Sequence, residues 1–183
     1  MHPQLTALAD EFLAALDRLH ALVEVVPATD WPRRHHPARW SVAECVAHLN
    51  LTSRAYLPLL TAAVAEARAL GGTAPRRHRR DPAGWLLWAT MGPPVRIRTR
   101  TIAAFIPEAA ADRDELVAEF ERLQDAQLAV LGAADGLPLG RVRVASPFNP
   151  KVRYNLFACF GILVRHQHRH LWQAGQVWPD RVG

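Results

Sequence analysis

The sequence predicts an all-α fold, a four-helix bundle formed by a single domain that spans residues 1–183. Four long stretches repeat apolar residues at intervals of three or four, the spacing typical of amphipathic helices. Half of the residues are hydrophobic, and most of these are Ala, Leu or Val, which favours helices over sheets. The length is enough for one domain with a hydrophobic core, and four long helices in such a chain are typical of a bundle.

The first two helices have recognisable boundaries. The first is predicted over residues 3–26 and ends before a proline. The second is predicted over residues 41–70, and two glycines follow it. Ser41, with Glu44 three residues later, forms a capping-box signature at its start. Pro58 lies inside the second stretch and predicts a kink or a division of the helix.

The third helix is predicted over residues 112–134, where acidic residues in the first turn suit the helix dipole. The fourth is predicted over residues 152–177. A long crossover of about 40 residues joins the second and third helices, and residues 84–91 within it predict a short additional helix. Residues 141–145 alternate in polarity, but one run of this length does not predict a sheet.

The net charge of +5 is concentrated in the crossover. Residues 75–101 carry seven arginines and one acid, Asp81, so this segment has a charge of +6 and the remainder has −1. Such a segment can contact nucleic acid or an anionic membrane, or can close over an anionic substrate with Arg96 and Arg98. The favoured interpretation is a solvated connection with its aromatic residues packed on the bundle, so nucleic acid is not the expected partner.

Several classes of protein are excluded by features that the sequence lacks. No window approaches the roughly 18 apolar residues of a membrane span, and no secretory signal precedes the first helix. The two cysteines, Cys45 and Cys159, lie in helical patterns, which predicts free thiols and a cytoplasmic location. Serine-hydrolase, phosphate-loop and Cys-x-x-Cys signatures are missing as well.

The fourth predicted helix carries a face on which two histidines lie one turn apart. Residues on this face follow each other at alternating intervals of three and four: Leu156, Cys159, Leu163, His166, His170, Gln173 and Val177. His166 and His170 are therefore predicted to point into the bundle. Two imidazoles with this spacing can hold one metal ion, and the alternative is a pair of core histidines bonded to neighbouring side chains.

A third imidazole is available on the second helix. His48 is the only histidine there, and it follows the predicted cap by two turns. Three histidines from two helices would leave a coordination position open, as in catalytic rather than structural zinc sites. The remaining histidines lie at the N-terminus, in loops or on other helix faces, and are less well placed.

These motifs resemble the DinB/YfiT-like superfamily. The resemblance rests on Trp40-Ser-Val-Ala-Glu-Cys-Val-Ala-His48-Leu together with the late His166-x-x-x-His170-Leu-Trp-Gln173, and it spans residues 3–178. It implies a DinB-like four-helix bundle, often dimeric, that binds a divalent metal such as Zn²⁺ or Ni²⁺ through His48, His166 and His170. Some members of that superfamily are transferases or isomerases that use low-molecular-weight thiols such as bacillithiol or mycothiol.

The expected function is thus that of a metalloenzyme acting on a small molecule, either as a thiol-dependent transferase or as a hydrolase. Glu44, Cys45 and Gln173 are candidates for the pocket or for contacts with the ligating histidines, although a helix cap is the favoured role of Glu44 and packing that of Cys45. The alternative is a non-enzymatic DinB-like module that binds a ligand or is purely structural, with the basic crossover contacting an anionic partner.

Overall fold

The computed structural model describes residues 1–94, 101–107 and 112–177, and within them the protein is mostly helical. The helices and strands, in chain order, are α1 (Pro3–Val25), α2 (Val42–Ala69), α3 (Pro82–Met91), α4 (Arg113–Ala133), β1 (Arg143–Ser146), β2 (Asn149–Asn155) and α5 (Leu156–Val177). Single 3-10 turns lie at Ala28–Asp30 and Ala103–Phe105. All four long helices predicted from the sequence are present.

Helix α2 begins as its capping signature predicts. The Ser41 hydroxyl accepts a hydrogen bond from the Glu44 N–H at 3.1 Å, and the Ser41 N–H donates to the Glu44 carboxylate at 2.8 Å. Two of the helix's first N–H groups are thereby satisfied. The predicted division at Pro58 does not occur, because α2 continues as one helix through that residue.

The long helices bury a core in two parts. Helix α2 packs against α4 and α5, α1 packs against the same two helices, and α3 covers α5. One cluster includes Phe12, Leu60 and Phe160 and extends beneath the strands. The other includes Trp31 and Leu49 at the opposite end of the molecule. Polar side chains bridge α4 and α5 inside this core, where the amides of Gln124, Gln127 and Gln167 are hydrogen-bonded to one another.

The expectation for residues 141–155 was wrong in two respects. Strand β1 pairs with β2 in an antiparallel hairpin, with Val144 opposite Tyr154, so a small sheet exists. Helix α5 accordingly begins at Leu156, four residues later than predicted. The reason lies in Asn155, whose side chain accepts a hydrogen bond from the Ala158 N–H at 2.8 Å and so caps the helix where the strand ends.

The basic crossover packs partly onto the helices. The Trp88 ring lies between two guanidinium groups, with Arg80 at 4.1 Å and Arg165 at 4.0 Å from its centroid. Trp85 and Leu86, on the other side of α3, are exposed, so only part of the aromatic segment is packed as expected. The proposed closure over an anionic substrate depended on Arg96 and Arg98, which lie outside the described residues.

Among the described helices, none combines the length and the apolar character that crossing a membrane requires.

The crossover also buries a histidine away from the other candidates. His78 is 3% exposed and stacks on Phe157 with 5.1 Å between the ring centroids. Neither of its ring nitrogens has a hydrogen-bond partner among the described residues. Burial, followed by the nearby His2, lowers the pKa of His78, while Asp135 acts weakly in the opposite direction.

We predict that His78 makes stability depend on pH. Because its folded pKa lies below the unfolded value of about 6.5, the unfolded chain binds more protons as the pH falls, and stability is lost below that value. Urea unfolding in the presence of a chelator, between pH 7.5 and 5, should show a shallower decline for His78→Phe, by at most about 1.4 kcal/mol per pH unit. The exposed His36→Gln serves as control and should follow the wild type. Parallel profiles for His78→Phe and wild type would contradict the prediction.

Candidate metal centre

Three imidazoles meet where α2 and α5 are in contact. His48 comes from the second turn of α2, and His166 and His170 come from successive turns of α5. One ring nitrogen from each residue lies within 4.8 Å of the others. His48 is 1% exposed and His166 is 7% exposed, and His170 is partly buried beside them. The structure therefore brings together the three histidines that the sequence singled out.

A backbone carbonyl of the crossover orients His48. The Nδ1 of His48 lies 2.7 Å from the Phe105 carbonyl oxygen, so Nδ1 carries the proton and donates it. The Nε2 atom then presents a bare lone pair toward His166 Nε2, at 3.3 Å. Two nitrogens bound to one tetrahedral zinc ion at 2.0–2.1 Å would be separated by about 3.3 Å. A carbonyl on the distal nitrogen is also a typical partner of a metal-binding histidine.

The surroundings keep the three rings neutral. Burial lowers the pKa of His48 and drives the pKa values of His166 and His170 well below the usual range. The neighbouring imidazoles and the cationic Arg169 act in the same direction on the two α5 histidines. The Nδ1 atoms of His166 and His170 also have no hydrogen-bond partner among the described residues. Neutral, desolvated imidazoles with lone pairs facing each other are the form in which histidine binds a metal ion.

Aromatic side chains enclose this cluster. The Trp40 ring lies 4.8 Å from the ring of His48 and 5.8 Å from that of His170, between ring centroids. Phe148, at the turn of the β1–β2 hairpin, lies 6.3 Å from His48 and 6.0 Å from His166, and it stacks on Phe105. Apolar neighbours of this kind exclude water from the imidazoles and lower the local dielectric around them.

The histidines open onto a cavity of about 1160 Å³. Its wall is formed by α2, α3, α5, the hairpin and the crossover, and includes Trp40, Tyr56, Met91, Phe148, Ile162 and Arg169. The wall is mostly apolar, with a few polar groups, which is typical of a small-molecule site. The described residues of the wall include arginines but no carboxylate.

Comparison with protein-family models tests the family resemblance that the histidine motifs suggested. The family model described as the DinB superfamily matches residues 11–174. The chain belongs to the DinB superfamily. Comparison with curated proteins and with solved structures gives no match. The match covers both halves of the histidine cluster, so the resemblance stated for the two motifs is confirmed.

Glu44 and Cys45 hold different positions in this DinB-superfamily site. The Glu44 carboxylate is bonded to the Ser41 N–H and pairs with Arg34. Burial alone would raise the pKa of Glu44, but these two partners outweigh it and lower the pKa. Cys45 lies in the cavity wall as a free thiol, and its pKa is raised to about 12, chiefly by burial and secondarily by the charge of Glu44. A thiol in this environment stays protonated and unreactive.

Gln173, one turn beyond His170, lies in the cavity wall. An interaction with the Gln173 side chain acts to raise the pKa of His170, against the larger effect of burial. His168, on the same helix, is turned away from the cluster and lies 3.9 Å from Glu11. It is partly buried there.

Several contacts of the site were not found from the sequence. The Phe105 contact uses a backbone oxygen, for which no side-chain pattern exists. Phe148 reaches the histidines only because the hairpin turns there, and the hairpin itself was not predicted. Trp40 precedes the capped start of α2 in the sequence, but its contact with His170 depends on the approach of α5. A search for an aromatic residue immediately before a capped helix would have indicated Trp40.

We predict that Glu44 acts on stability and not on metal content. Glu44→Ala removes the capping acceptor and the partner of Arg34, and should lower the free energy of unfolding by about 1 kcal/mol. Glu44→Gln keeps an acceptor oxygen and should lose less. Chemical denaturation and elemental analysis of both variants provide the check. Loss of bound metal in Glu44→Ala without loss of stability would show instead that the carboxylate serves the centre.

Proposed function

We propose that this protein is a metal-dependent enzyme in which His48, His166 and His170 hold one divalent ion, Zn²⁺ or Ni²⁺. The observation that carries the proposal is the convergence of three neutral imidazoles, with their ring nitrogens within 4.8 Å, at the wall of a large cavity.

We take residues 1–183 as one domain and α1, α2, α4 and α5 as a four-helix bundle. The mutual packing of these four helices supports that arrangement.

The residues fit a divalent ion better than a purely structural role. Three desolvated imidazoles destabilise a core unless each ring nitrogen finds a partner, at a cost of about 1–3 kcal/mol for each that does not. The Nε2 atoms of His48 and His166 face each other at 3.3 Å, and one cation between them can accept both lone pairs. A three-histidine set also leaves coordination positions open, which distinguishes catalytic from structural zinc sites.

An ion held there supplies Lewis acidity, which polarises a carbonyl and makes a bound thiol or water more acidic. We propose that the reaction is transfer of a low-molecular-weight thiol to a small electrophile: the thiol loses its S–H proton, a carbon–sulfur bond forms, and the leaving group of the electrophile departs with the electron pair of the broken bond. A free thiol has a pKa near 8.5, whereas water is far less acidic, so a thiol needs less help from a general base. The described wall offers no carboxylate for that purpose, and Glu44 is engaged in its cap.

The cavity supports this choice through its own side chains. Its volume is above the usual range for one drug-sized ligand, which leaves room for a thiol cosubstrate and an acceptor together. Arg169 lies in the wall next to His170, and its positive charge favours an anionic sulfur over a neutral one. Trp40 and Phe148 shield the histidines and so reduce competition from water.

Two further properties belong to the proposal. Cys45 and Cys159 are both buried and free, which supports a reducing compartment, the cytoplasm. The resemblance also supports a homodimer, and light scattering of the purified protein tests it directly.

We predict one equivalent of divalent metal for each chain, lost on substitution of any of the three ligands. Elemental analysis should find metal in the wild type and less than about a tenth of an equivalent in His48→Ala, His166→Ala and His170→Ala. His168→Ala is the matched control, because it removes an imidazole from the same helix without touching the cluster, and should retain the metal. Equal metal in all variants, or none in the wild type, would contradict the metal site.

We predict thiol-dependent turnover by the Zn²⁺-loaded protein. A panel of electrophiles should be consumed together with a low-molecular-weight thiol such as bacillithiol or mycothiol, and His170→Ala should lower the rate at least 100-fold. Mass spectrometry of the thioether product provides the measurement. Ester cleavage without a thiol would indicate a hydrolase, and metal-loaded protein without turnover on any substrate would indicate a ligand-binding module.

A further inference from the structure

The two tyrosines of the sequence meet inside the cavity, away from the histidines. The hydroxyl oxygens of Tyr56, on α2, and Tyr154, on β2, are 2.5 Å apart. The Ser146 side chain, from β1, is near both, and its interaction with them acts to lower their pKa values against the larger effect of burial. We call these three residues the hydroxyl cluster, and all of them lie in the cavity wall.

The hydroxyl cluster is deeply buried in an otherwise apolar region. Tyr56 is 3% exposed and Tyr154 is 1% exposed, among core residues such as Leu60 and Phe157. Burial raises the pKa of Tyr56 to about 12, with a further contribution from Cys159, and it raises the pKa of Tyr154 as well. The three hydroxyls therefore keep their protons and form a neutral polar group, where phenylalanine would serve packing alone.

The cluster has more acceptors than donors. Each hydroxyl carries one proton and two lone pairs, so the three hydroxyls together hold three protons and six lone pairs. Ser146 also accepts a hydrogen bond from the Phe148 N–H at 3.3 Å. Lone pairs remain on the cluster, and a ligand group that donates a hydrogen bond, such as a hydroxyl or an amine, complements them.

The cluster and the histidines lie at different positions along one cavity. Tyr56 follows His48 by eight residues on α2, which corresponds to about 12 Å along the helix axis. The Phe148 ring lies between them, at 6.3 Å from His48 and 6.5 Å from Tyr56. The wall nearby is apolar and includes Met91 and Ile162. A molecule that reached from the histidines to the cluster would be elongated and largely apolar.

We propose that the hydroxyl cluster is a second polar subsite, which binds the hydroxyl or amine end of an elongated, mostly apolar substrate. The reactive group of that substrate lies at the histidines, so this inference rests on the proposed function. The cluster selects substrates by their length as well as by the chemistry of their end group. A hydrogen-bond donor at the wrong distance from the reactive group would not reach it, and a methyl group at the right distance would leave its acceptors unpaired.

The test uses thiol probes of graded length. Calorimetry of the Zn²⁺-loaded protein compares a series from 6-mercaptohexanol to 11-mercaptoundecanol with alkanethiols of the same number of heavy atoms. The hydroxyl should strengthen binding about five- to tenfold at the chain length that spans the cavity, and less at shorter lengths.

The double variant Tyr56→Phe/Tyr154→Phe should lose this preference while it binds alkanethiols as the wild type does. Ser53→Ala, which removes a buried hydroxyl of α2 outside the cavity wall, should keep the preference.

Cobalt-substituted protein separates failure of the subsite from failure of the proposed function. A sulfur-to-cobalt charge-transfer band on addition of a probe reports that the thiol reaches the histidines. If the band is missing but the hydroxyl preference is present and is lost in the double variant, the subsite stands and the proposed chemistry fails. If the preference is missing at every length, survives in the double variant, or cannot be seen because no mercaptoalkanol binds, the subsite is overturned.

Discussion

The contact between α2 and α5 buries three imidazoles in one apolar space, and the rest of the site depends on this constraint. Neutral imidazole is the form that such a space permits, because burial drives the pKa values of His166 and His170 far down. The same burial makes unpaired ring nitrogens costly. A cation relieves that cost at the nitrogens it binds, and it requires the neutral form, so the electrostatics of the contact and the proposed metal chemistry have one cause.

The crossover and the β1–β2 hairpin complete the site that the long helices form. The crossover supplies the Phe105 carbonyl that fixes the tautomer of His48, and the hairpin supplies Phe148, which closes the cluster on one side. The hairpin also brings Tyr154 and Ser146 to Tyr56 on α2. The long helices thus set the positions of the imidazoles, whereas the connections determine their orientation, their shielding and the shape of the cavity.

The sequence predicted the parts of this arrangement that depend on local spacing. The cap at Ser41, the inward face of α5 and the pair His166 and His170 all follow from intervals of three or four residues, and they are present. The hairpin was missed because a single alternating run carries little weight, and its partner strand was read as the start of α5. The Phe105 contact could not be predicted, because a backbone carbonyl brought from a distant segment leaves no mark in the composition or periodicity.

X-ray absorption at the zinc edge of the Zn²⁺-loaded protein tests the central claim most directly, because it reports the ligands themselves. The account predicts three imidazoles in the first shell, with nitrogen at about 2.0–2.1 Å and the outer scattering of histidine rings. A sulfur shell near 2.3 Å would show that Cys45 or Cys159 binds the ion, and a shell of oxygen without imidazole scattering would place the ion elsewhere. Either result would contradict the three-histidine centre.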